Sequence, residues 1–312
     1  MERIRRNPLI ISIAFLVALI AAFSYGDRTF VSAYNIGSLM EVVAVLLAVG
    51  LGQACVIVTG GIDLSVGSII SLVSVVFMVT LGPLGAAAYP LVLLVGAGCG
   101  FLNGLVVSKL RIPSFIGTLG TQGILQSLAF LVRENAVTPP EDRYALLDLV
   151  QGKVGPVSAF WIISAAVFVL FFAAQRFLPV GRHVFYVGAN ERMSWLGGLD
   201  VDRARIFAFT LAGFGAAVAG IVVSARLYQG YPQIGVEYVL LSIAVVVVGG
   251  TPMTGGAGGA VNTLVGALIL AVIRNGLPVV GVDAYQQQVI LGILVIIAVA
   301  VTFDRTKVAI IK

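Results

Sequence analysis

The sequence is poor in charged residues and in residues that carry out chemistry. Asp, Glu, Lys and Arg make up only 11% of the 312 residues, whereas soluble domains carry about 25%. There is a single histidine, and the two cysteines, Cys55 and Cys99, lie inside apolar stretches. These residues exclude a disulfide framework and a clustered metal site. The sequence also lacks a phosphate-binding glycine loop with its lysine, so we expect neither enzymatic activity nor a cofactor bound by this chain.

Apolar residues dominate the composition of the chain. They make up 59% of the chain, and the mean hydropathy is +1.07. A bilayer-spanning helix needs about 20 predominantly apolar residues. The pattern predicts an all-α polytopic membrane protein with about ten transmembrane helices, some broken or short. We treat the chain as one domain, 1–312, with halves 1–155 and 156–312. The ten apolar segments lie near 8–23, 37–59, 64–81, 88–108, 112–132, 156–177, 205–226, 236–250, 260–278 and 285–303.

The basic residues predict the orientation of the chain. If the N-terminus lies inside, most of the 19 lysines and arginines fall at the inner ends of the segments, as the positive-inside rule requires. Ten spans then place both termini in the cytoplasm. The basic residues 1–6 and the apolar run after them also resemble a signal peptide, but the cleavage pattern near Ala22 and Ser24 is weak. We therefore predict an uncleaved first helix.

Two glycine-rich stretches, 58–68 and 248–256, interrupt the apolar pattern. The first contains Asp63, and a carboxylate near the bilayer centre costs about 2.5–3.5 kcal/mol. Gly60 and Gly61 are predicted to end one helix, and Asp63 to cap the next.

In the second stretch, Thr251 is predicted to be the helix cap and Pro252 the first helical residue. Paired interruptions in the two halves are typical of a transport pathway between inverted repeats. The alternative is two ordinary loops at the membrane surface, because glycine-rich turns also connect regular spans.

Segment 112–132 carries a polar stripe on one face, formed by Ser114, Thr118, Thr121, Gln122 and Gln126. This stripe should face protein or water and not lipid. Amides and hydroxyls with few charges suit a neutral, hydroxyl-rich solute better than an ion. The residues predicted to line a substrate pathway are Gln53, Asp63, Ser65, Ser68, Asn103, Ser114, Thr118, Thr121, Gln122, Gln126 and Thr251.

Small residues recur at helical spacing in several segments. Gly96, Gly100 and Gly104 follow one another every four residues, which predicts close packing of two helices. Serines occupy every third position from Ser65 to Ser74. Serine hydroxyls can bond to carbonyl groups of their own helix, so packing is the favoured interpretation of this second pattern.

The loop 178–204 is predicted to be cytoplasmic and to contain a short helix. Asn190 is a favourable helix cap and Gly197 or Gly198 a favourable stop, which gives about seven helical residues. Met193, Trp195 and Leu196 would then be exposed and could insert into the groove of a partner. The alternative is that the loop lies on the membrane interface.

Several motifs occur together in a fixed order along the chain. They are TGGIDLSVG at 59–67, NG at 103–104, RIPSFIGTLGT at 111–121, GANE at 188–191, VGGT at 248–251 with GG at 255–256, and NGL at 275–277 before GV at 281–282. With these motifs the chain resembles the permease subunits of bacterial ABC importers for monosaccharides, of the ribose, arabinose, xylose and galactofuranose type. Arg274 departs from the family, which often has an uncharged residue there.

The resemblance implies a type II importer fold in the bacterial inner membrane and transport by alternating access. It also implies an external sugar-binding protein, a cytoplasmic ATPase that uses ATP and Mg²⁺, and a second permease subunit, either the same chain or a paralogue. The short helix then corresponds to the coupling helix that docks on the ATPase, with Gly188, Asn190, Glu191, Arg192, Met193, Trp195, Leu196 and Gly197 as coupling residues.

Two other classes of transporter remain alternatives. A branched-chain amino-acid permease would more plausibly offer charged partners to its substrate. A secondary transporter driven by ions would be expected to show paired intramembrane acids or an unwound carbonyl cage. Only Asp63 and Glu41 approach that pattern. The predicted position of Asp63 near the inner side favours a role as a cap that fixes a hinge or inner gate.

Overall fold

The computed structural model describes residues 8–283 together with 285–287, 289–290, 292–293 and 296. These residues form twelve α-helices and one short hairpin of strands β1 (Lys153–Val154) and β2 (Val157–Ser158). The helices are α1 (Pro8–Gly26), α2 (Ala33–Val58), α3 (Val66–Leu84), α4 (Ala88–Lys109), α5 (Ser114–Val132), α6 (Tyr144–Gln151), α7 (Ala159–Phe177), α8 (Pro179–Ala189), α9 (Glu191–Leu196), α10 (Val201–Leu227), α11 (Tyr238–Val248) and α12 (Ala260–Val279).

The helices form a polytopic membrane bundle, as predicted. Seven stretches of the described residues are long and apolar enough to cross a membrane. One of them, Val66–Lys109, has 44 residues and contains both α3 and α4, which a 3-10 turn at Gly85–Ala87 separates. Helix α11 is shorter than a span. The predicted segment 285–303 lies largely outside the described residues.

The long helices run alternately between two ends of the bundle. The connections 59–65, 110–113, 178–200 and 249–259 meet at one end, which we call the basic end because Lys109, Arg111, Arg192 and Arg203 lie there. The other is called the far end. It carries the hairpin and α6. The sequence patterns predicted neither of these elements, nor α8 at the basic end.

Helix α10 lies at the centre of the bundle and packs against α4 by direct backbone contact. Gly96, Gly100 and Gly104 of α4 face backbone atoms of Gly213, Phe209 and Ile206 in α10. The predicted small-residue packing is therefore confirmed. Such close approach is available only to residues without bulky side chains, and it replaces the hydrophobic driving force that is missing in lipid.

The second glycine-rich stretch differs from the prediction. Residues 251–259 form turns and bends, and α12 begins at Ala260 with Gly259 as its N-cap. The assignments of Thr251 as the helix cap and of Pro252 as the first helical residue are therefore wrong. Gly255, Gly256, Gly258 and Gly259 all have positive φ angles. A run of left-handed residues cannot continue as a helix.

The glycine contact between α4 and α10 gives a stability prediction. We expect Gly100→Ala to lower the free energy of unfolding by about 1–3 kcal/mol, because the added β-carbon would collide with the carbonyl oxygen of Phe209. The measurement is thermal unfolding of the purified protein in detergent. Gly98→Ala on the same helix is the control, since nothing lies within 4 Å of its added carbon. Equal losses in the two variants would contradict the packing explanation.

Candidate functional site: two extended segments and a glycine junction

Residues 61–65, which we call the first extended segment, enter the bundle from the basic end in a non-helical conformation. Helix α2 ends at Val58, and Gly60 has a φ of 82°, the left-handed conformation that was predicted to end the helix. Asp63 and Ser65 are fully buried. Backbone groups of such a segment have no water or helix partners inside a membrane bundle, so side chains have to provide the hydrogen bonds.

The first two turns of α5 provide two of these bonds. The Ser114 hydroxyl accepts from the N–H of Ile62 at 3.1 Å, and the Thr118 hydroxyl accepts from the N–H of Leu64 at 3.0 Å. These two residues belong to the predicted polar stripe. Their face of α5 packs on the bundle, while Phe115, the residue beside Ser114, is exposed. The prediction that the polar stripe faces protein or water and not lipid is therefore confirmed for Ser114 and Thr118.

Asp63 is the centre of the remaining bonds. Its backbone N–H and C=O pair with the Gln53 amide of α2 at 3.3 and 3.1 Å, with the amide oriented to satisfy both groups. Its Oδ1 accepts from the Ser65 N–H at 2.8 Å and from the Ser65 hydroxyl at 2.7 Å. Asn103 of α4 then donates to the Ser65 hydroxyl at 2.6 Å. The N-cap residue of α3 is Ser65, so the prediction that Asp63 is the cap is wrong; the Asp63 carboxylate instead holds Ser65, the residue before α3.

A second segment, 228–237, enters the bundle from the far end. It runs antiparallel to α3, and the N–H of Gly235 donates to the Ser71 hydroxyl at 3.0 Å. The Gln126 amide of α5 donates to the carbonyl of Pro232. The sequence patterns described above did not predict this interruption. The signal was present, since the run QGYPQIG at 229–235 has the glycine and proline punctuation of a chain break.

The two segments lead to helix N-termini that meet inside the bundle. Gly67, at the start of α3, lies against the backbone of Gly235 and the side chain of Val239 in the first turn of α11. Helix α3 runs from there to the far end and α11 to the basic end. Two interruptions that enter from opposite ends are the arrangement expected of inverted repeats. The interruption at 248–256 is at the basic end, beside the first one, and is not its symmetric counterpart.

A glycine junction at the basic end joins three separate parts of the chain. The N–H of Gly256 donates to the carbonyl oxygen of Val58 at 2.9 Å, and Gly255 lies on the backbone of Gly60. Gly188, the penultimate residue of α8, faces the same Val58 oxygen and the N–H of Gly256. No β-carbon fits at Gly188 without a shift of the backbone. The end of α2, the second glycine stretch and the residues before Asn190 therefore form one tight contact.

Helix α9 forms where the sequence predicts it. The Asn190 side chain accepts from the N–H of Met193 at 3.0 Å and so caps its N-terminus. Only Ser194 is buried, whereas Met193, Trp195 and Leu196 are each more than 60% exposed. Three large apolar side chains on a helix of 6 residues are an apolar surface for which the described residues provide no cover.

A cavity of about 1050 Å³ lies between α9 and the first extended segment. Arg111 lines it and has a φ of 54°, an uncommon conformation for a residue with a β-carbon. Gly60 and residues of α9 both line the cavity, which lies between them. Its other lining residues include Ser108, Ser114, Glu191, Arg192, Trp195, Asp200, Asp202 and Arg205.

The structure places the predicted pathway residues in two regions. Gln53, Asp63, Ser65, Asn103, Ser114 and Thr118 form one hydrogen-bond network, with Ser68 bonded to the Ser65 carbonyl. Gln126, Thr121 and Gln122 continue along α5. Thr251 lies apart in the connection 249–259, where its hydroxyl accepts from the N–H of Gly259 at 3.3 Å. Contact of any of these residues with a substrate stays a prediction.

Two ion pairs in the half of the bundle toward the far end were missed by the sequence analysis. Glu41 of α2 pairs with Arg226 of α10 at 3.0 Å, and Glu237 pairs with Arg274 of α12 at the same distance. Arg274 therefore has a carboxylate partner, which explains how a charge is accommodated in an apolar helix. The signal in the sequence was the isolated charges within apolar segments.

The family described as "Branched-chain amino acid transport system / permease component" matches residues 35–299. The chain belongs to this permease family. The ribose import permease protein of Haemophilus influenzae is 33% identical to this permease over 293 residues, which cover 91% of the chain and 90% of the relative. For the ribose import permease protein of Bacillus subtilis the identity is 34%, with 94% and 91% covered. The fructose import permease protein of Rhizobium meliloti is 34% identical, with 97% and 87% covered. No solved structure matches the chain.

These comparisons confirm the resemblance given by the motifs, all of which lie inside the matched residues. The motif residues now have positions in this permease. The TGGIDLSVG run contains the first extended segment, the RIPSFIGTLGT run provides its partners on α5, and GANE joins the glycine junction to α9. The family also makes the chain a transport subunit and not a catalytic one.

The bonds of Asp63 give the second prediction. Asp63→Ala removes the acceptor for the Ser65 N–H and hydroxyl, and a buried donor without a partner costs about 1–3 kcal/mol. We expect Asp63→Ala to lower the melting temperature of the permease and its transport rate together. Asp63→Asn keeps an oxygen at the Oδ1 position and should keep most of both. If Asn is as damaging as Ala, the negative charge itself is required and the hydrogen-bond explanation is wrong.

Proposed function

We propose that this permease carries a monosaccharide across the bacterial cytoplasmic membrane as the membrane-spanning subunit of an ATP-driven importer. The observation that carries the proposal is the set of relatives. Ribose and fructose import permeases match more than nine tenths of the chain, and a D-allose transport permease of Escherichia coli is 31% identical. The uncharged network around Asp63 agrees with a cargo recognised through hydroxyl groups.

The relatives decide between the alternatives. The family description names branched-chain amino acids, but the relatives reported above carry the names of sugars. An ion-driven secondary transporter has no support from a family of importer permeases. A pathway for free amino acids would also need partners for an ammonium and a carboxylate group, whereas the buried partners near the first extended segment are amides and hydroxyls around one carboxylate.

The charges support an orientation with the basic end in the cytoplasm. In this orientation α9 faces the cytosol and the far end faces outward, and a tenth span at 285–303 would bring the C-terminus, like the N-terminus, to the cytoplasm. An ATPase that binds ATP and Mg²⁺ would dock on Met193, Trp195 and Leu196, and a sugar-binding protein would dock on the far end. A second permease subunit would complete the pathway. The exposed apolar surface of α9 is the feature that supports the ATPase contact.

The mechanism we propose is alternating access, driven through the glycine junction. Movement of α9 would displace Gly188, which is in direct contact with the end of α2 and with Gly256. The residues beyond Val58 lead straight into the first extended segment. A shift at the junction would therefore change the position of Asp63 and its partners and open or close the path beside them.

Stimulation of ATP hydrolysis in nanodiscs tests the assignment. The permease is reconstituted with its ATPase and binding protein, and ATP hydrolysis is measured with D-ribose, D-fructose, D-allose or L-leucine. Stimulation by one or more of the sugars and not by leucine is expected. Stimulation by leucine alone would overturn the sugar assignment in favour of the amino-acid alternative.

The docking of the ATPase gives the third prediction. Trp195 is 69% exposed, and truncation of a tryptophan at the centre of an interface costs about 2 kcal/mol or more. We expect Trp195→Ala to weaken binding of the ATPase to nanodiscs by about 30-fold, as measured by biolayer interferometry. Trp161→Ala is the matched control, because Trp161 is exposed on α7 near the far end and should leave binding unchanged. Equal binding of the two variants would remove α9 as the docking element.

A further inference from the structure

Helix α9 has few side-chain attachments to the bundle for an element that would transmit force. Its buried side chain, Ser194, bonds back to the Asn190 carbonyl of its own turn. Among the described residues, the one side-chain hydrogen bond from α9 to a bundle helix joins Glu191 and Arg205. The Arg205 guanidinium donates to Glu191 Oε2 at 2.6 Å, across the edge of the cavity.

Arg205 connects this contact to the centre of the bundle. It lies in the second turn of α10 and is 24% exposed, whereas Glu191 is 55% exposed. Helix α10 has backbone contacts with α4 at Gly100 and with α2 at Gly52. A displacement of α10 therefore has to displace α4 and α2 as well, because glycine contacts leave no side chain to absorb the movement.

These two helices, α4 and α2, both provide bonds to the first extended segment. Asn103 of α4 donates to the Ser65 hydroxyl, and Gln53 of α2 pairs with the backbone of Asp63. A path of direct contacts thus runs from α9 through Arg205 to the partners of Asp63. It is separate from the chain connection through Gly188.

We propose that the Glu191–Arg205 ion pair is a positioning contact that couples movement of α9 to α10, so that both flanks of the extended segment move when the ATPase acts. The inference rests on the proposed function for the identity of the partner. The pair transmits displacement and does not bind the sugar. An ion pair suits this role because it can hold two surfaces together across the edge of a cavity without a packed apolar contact, and its charge assistance favours a short hydrogen bond.

The test measures coupling separately from docking. Nanodiscs with the ATPase, the binding protein and a stimulating sugar are assayed for the ratio of stimulated to basal ATP hydrolysis. Arg205→Gln removes the charge, and we expect this ratio to fall by about fivefold or more, a typical allosteric coupling. ATPase binding and melting temperature should stay near wild type. Arg205→Lys keeps a cation within reach of Glu191 and should keep most of the ratio.

A neighbouring ion pair provides the matched control. Lys109 pairs with Asp202 at 2.7 Å and joins α4 to α10 without contact to α9. Lys109→Gln removes a charge of the same sign at the same end and should leave the ratio unchanged. The exchanged pair Glu191→Arg with Arg205→Glu should recover coupling that Arg205→Glu alone abolishes.

A second readout needs no sugar. Hydrogen–deuterium exchange is followed in residues 201–209 before and after addition of ATPase and ATP. Wild type and Arg205→Lys should change protection there, and Arg205→Gln should not. The proposal is overturned if Arg205→Gln keeps the exchange response, if it abolishes ATPase binding, or if the exchanged pair stays as impaired as Arg205→Glu. Failure of every sugar to stimulate wild type would instead overturn the proposed function, and the exchange experiment would still decide the role of the pair.

Discussion

A membrane bundle has to satisfy every backbone polar group from within the protein, and this constraint organises the permease. Helices meet it by themselves, but residues 61–65 and 228–237 are not helical. Each unsatisfied group in such a segment would cost several kcal/mol. The polar side chains of α2 and α5 are placed where the backbone of these segments needs donors and acceptors, and Gln53, Thr118 and Gln126 are the main examples.

The same constraint suits a transport pathway. Exchange of one hydrogen bond for another of similar kind changes the free energy by only about 0.5–1.5 kcal/mol. A segment held by hydroxyls and amides can therefore pass its bonds to water or to the hydroxyls of a sugar at small cost, whereas a segment held by packed apolar side chains cannot. This is one physical reason why residues that fix the resting structure can also line a path for a weakly bound cargo.

The sequence predicted the elements whose signals are local. Apolar segments gave most of the long helices, Gly60 gave the end of α2, and Asn190 gave the start of α9, because each depends on a few neighbouring residues. The sequence did not predict that the stretch at 248–256 contacts Gly60 and Gly188, or that α12 begins only at Ala260. These features depend on contacts between residues far apart in the chain. The predicted polar stripe was correct in its direction, but the pattern alone could not tell that its hydroxyls bind a backbone segment.

The partners of the two non-helical segments, 61–65 and 228–237, have a consequence for the order of assembly during synthesis. Segment 61–65 is bonded by Gln53, Asn103, Ser114 and Thr118, all of which precede residue 120. Segment 228–237 is also bonded by early residues, namely Ser71, Gln126 and Val137. The first half of the chain can therefore complete its own interruption as it enters the bilayer. The second half has to find a template already in place, so the two halves are unequal as folding units even where their architecture is related.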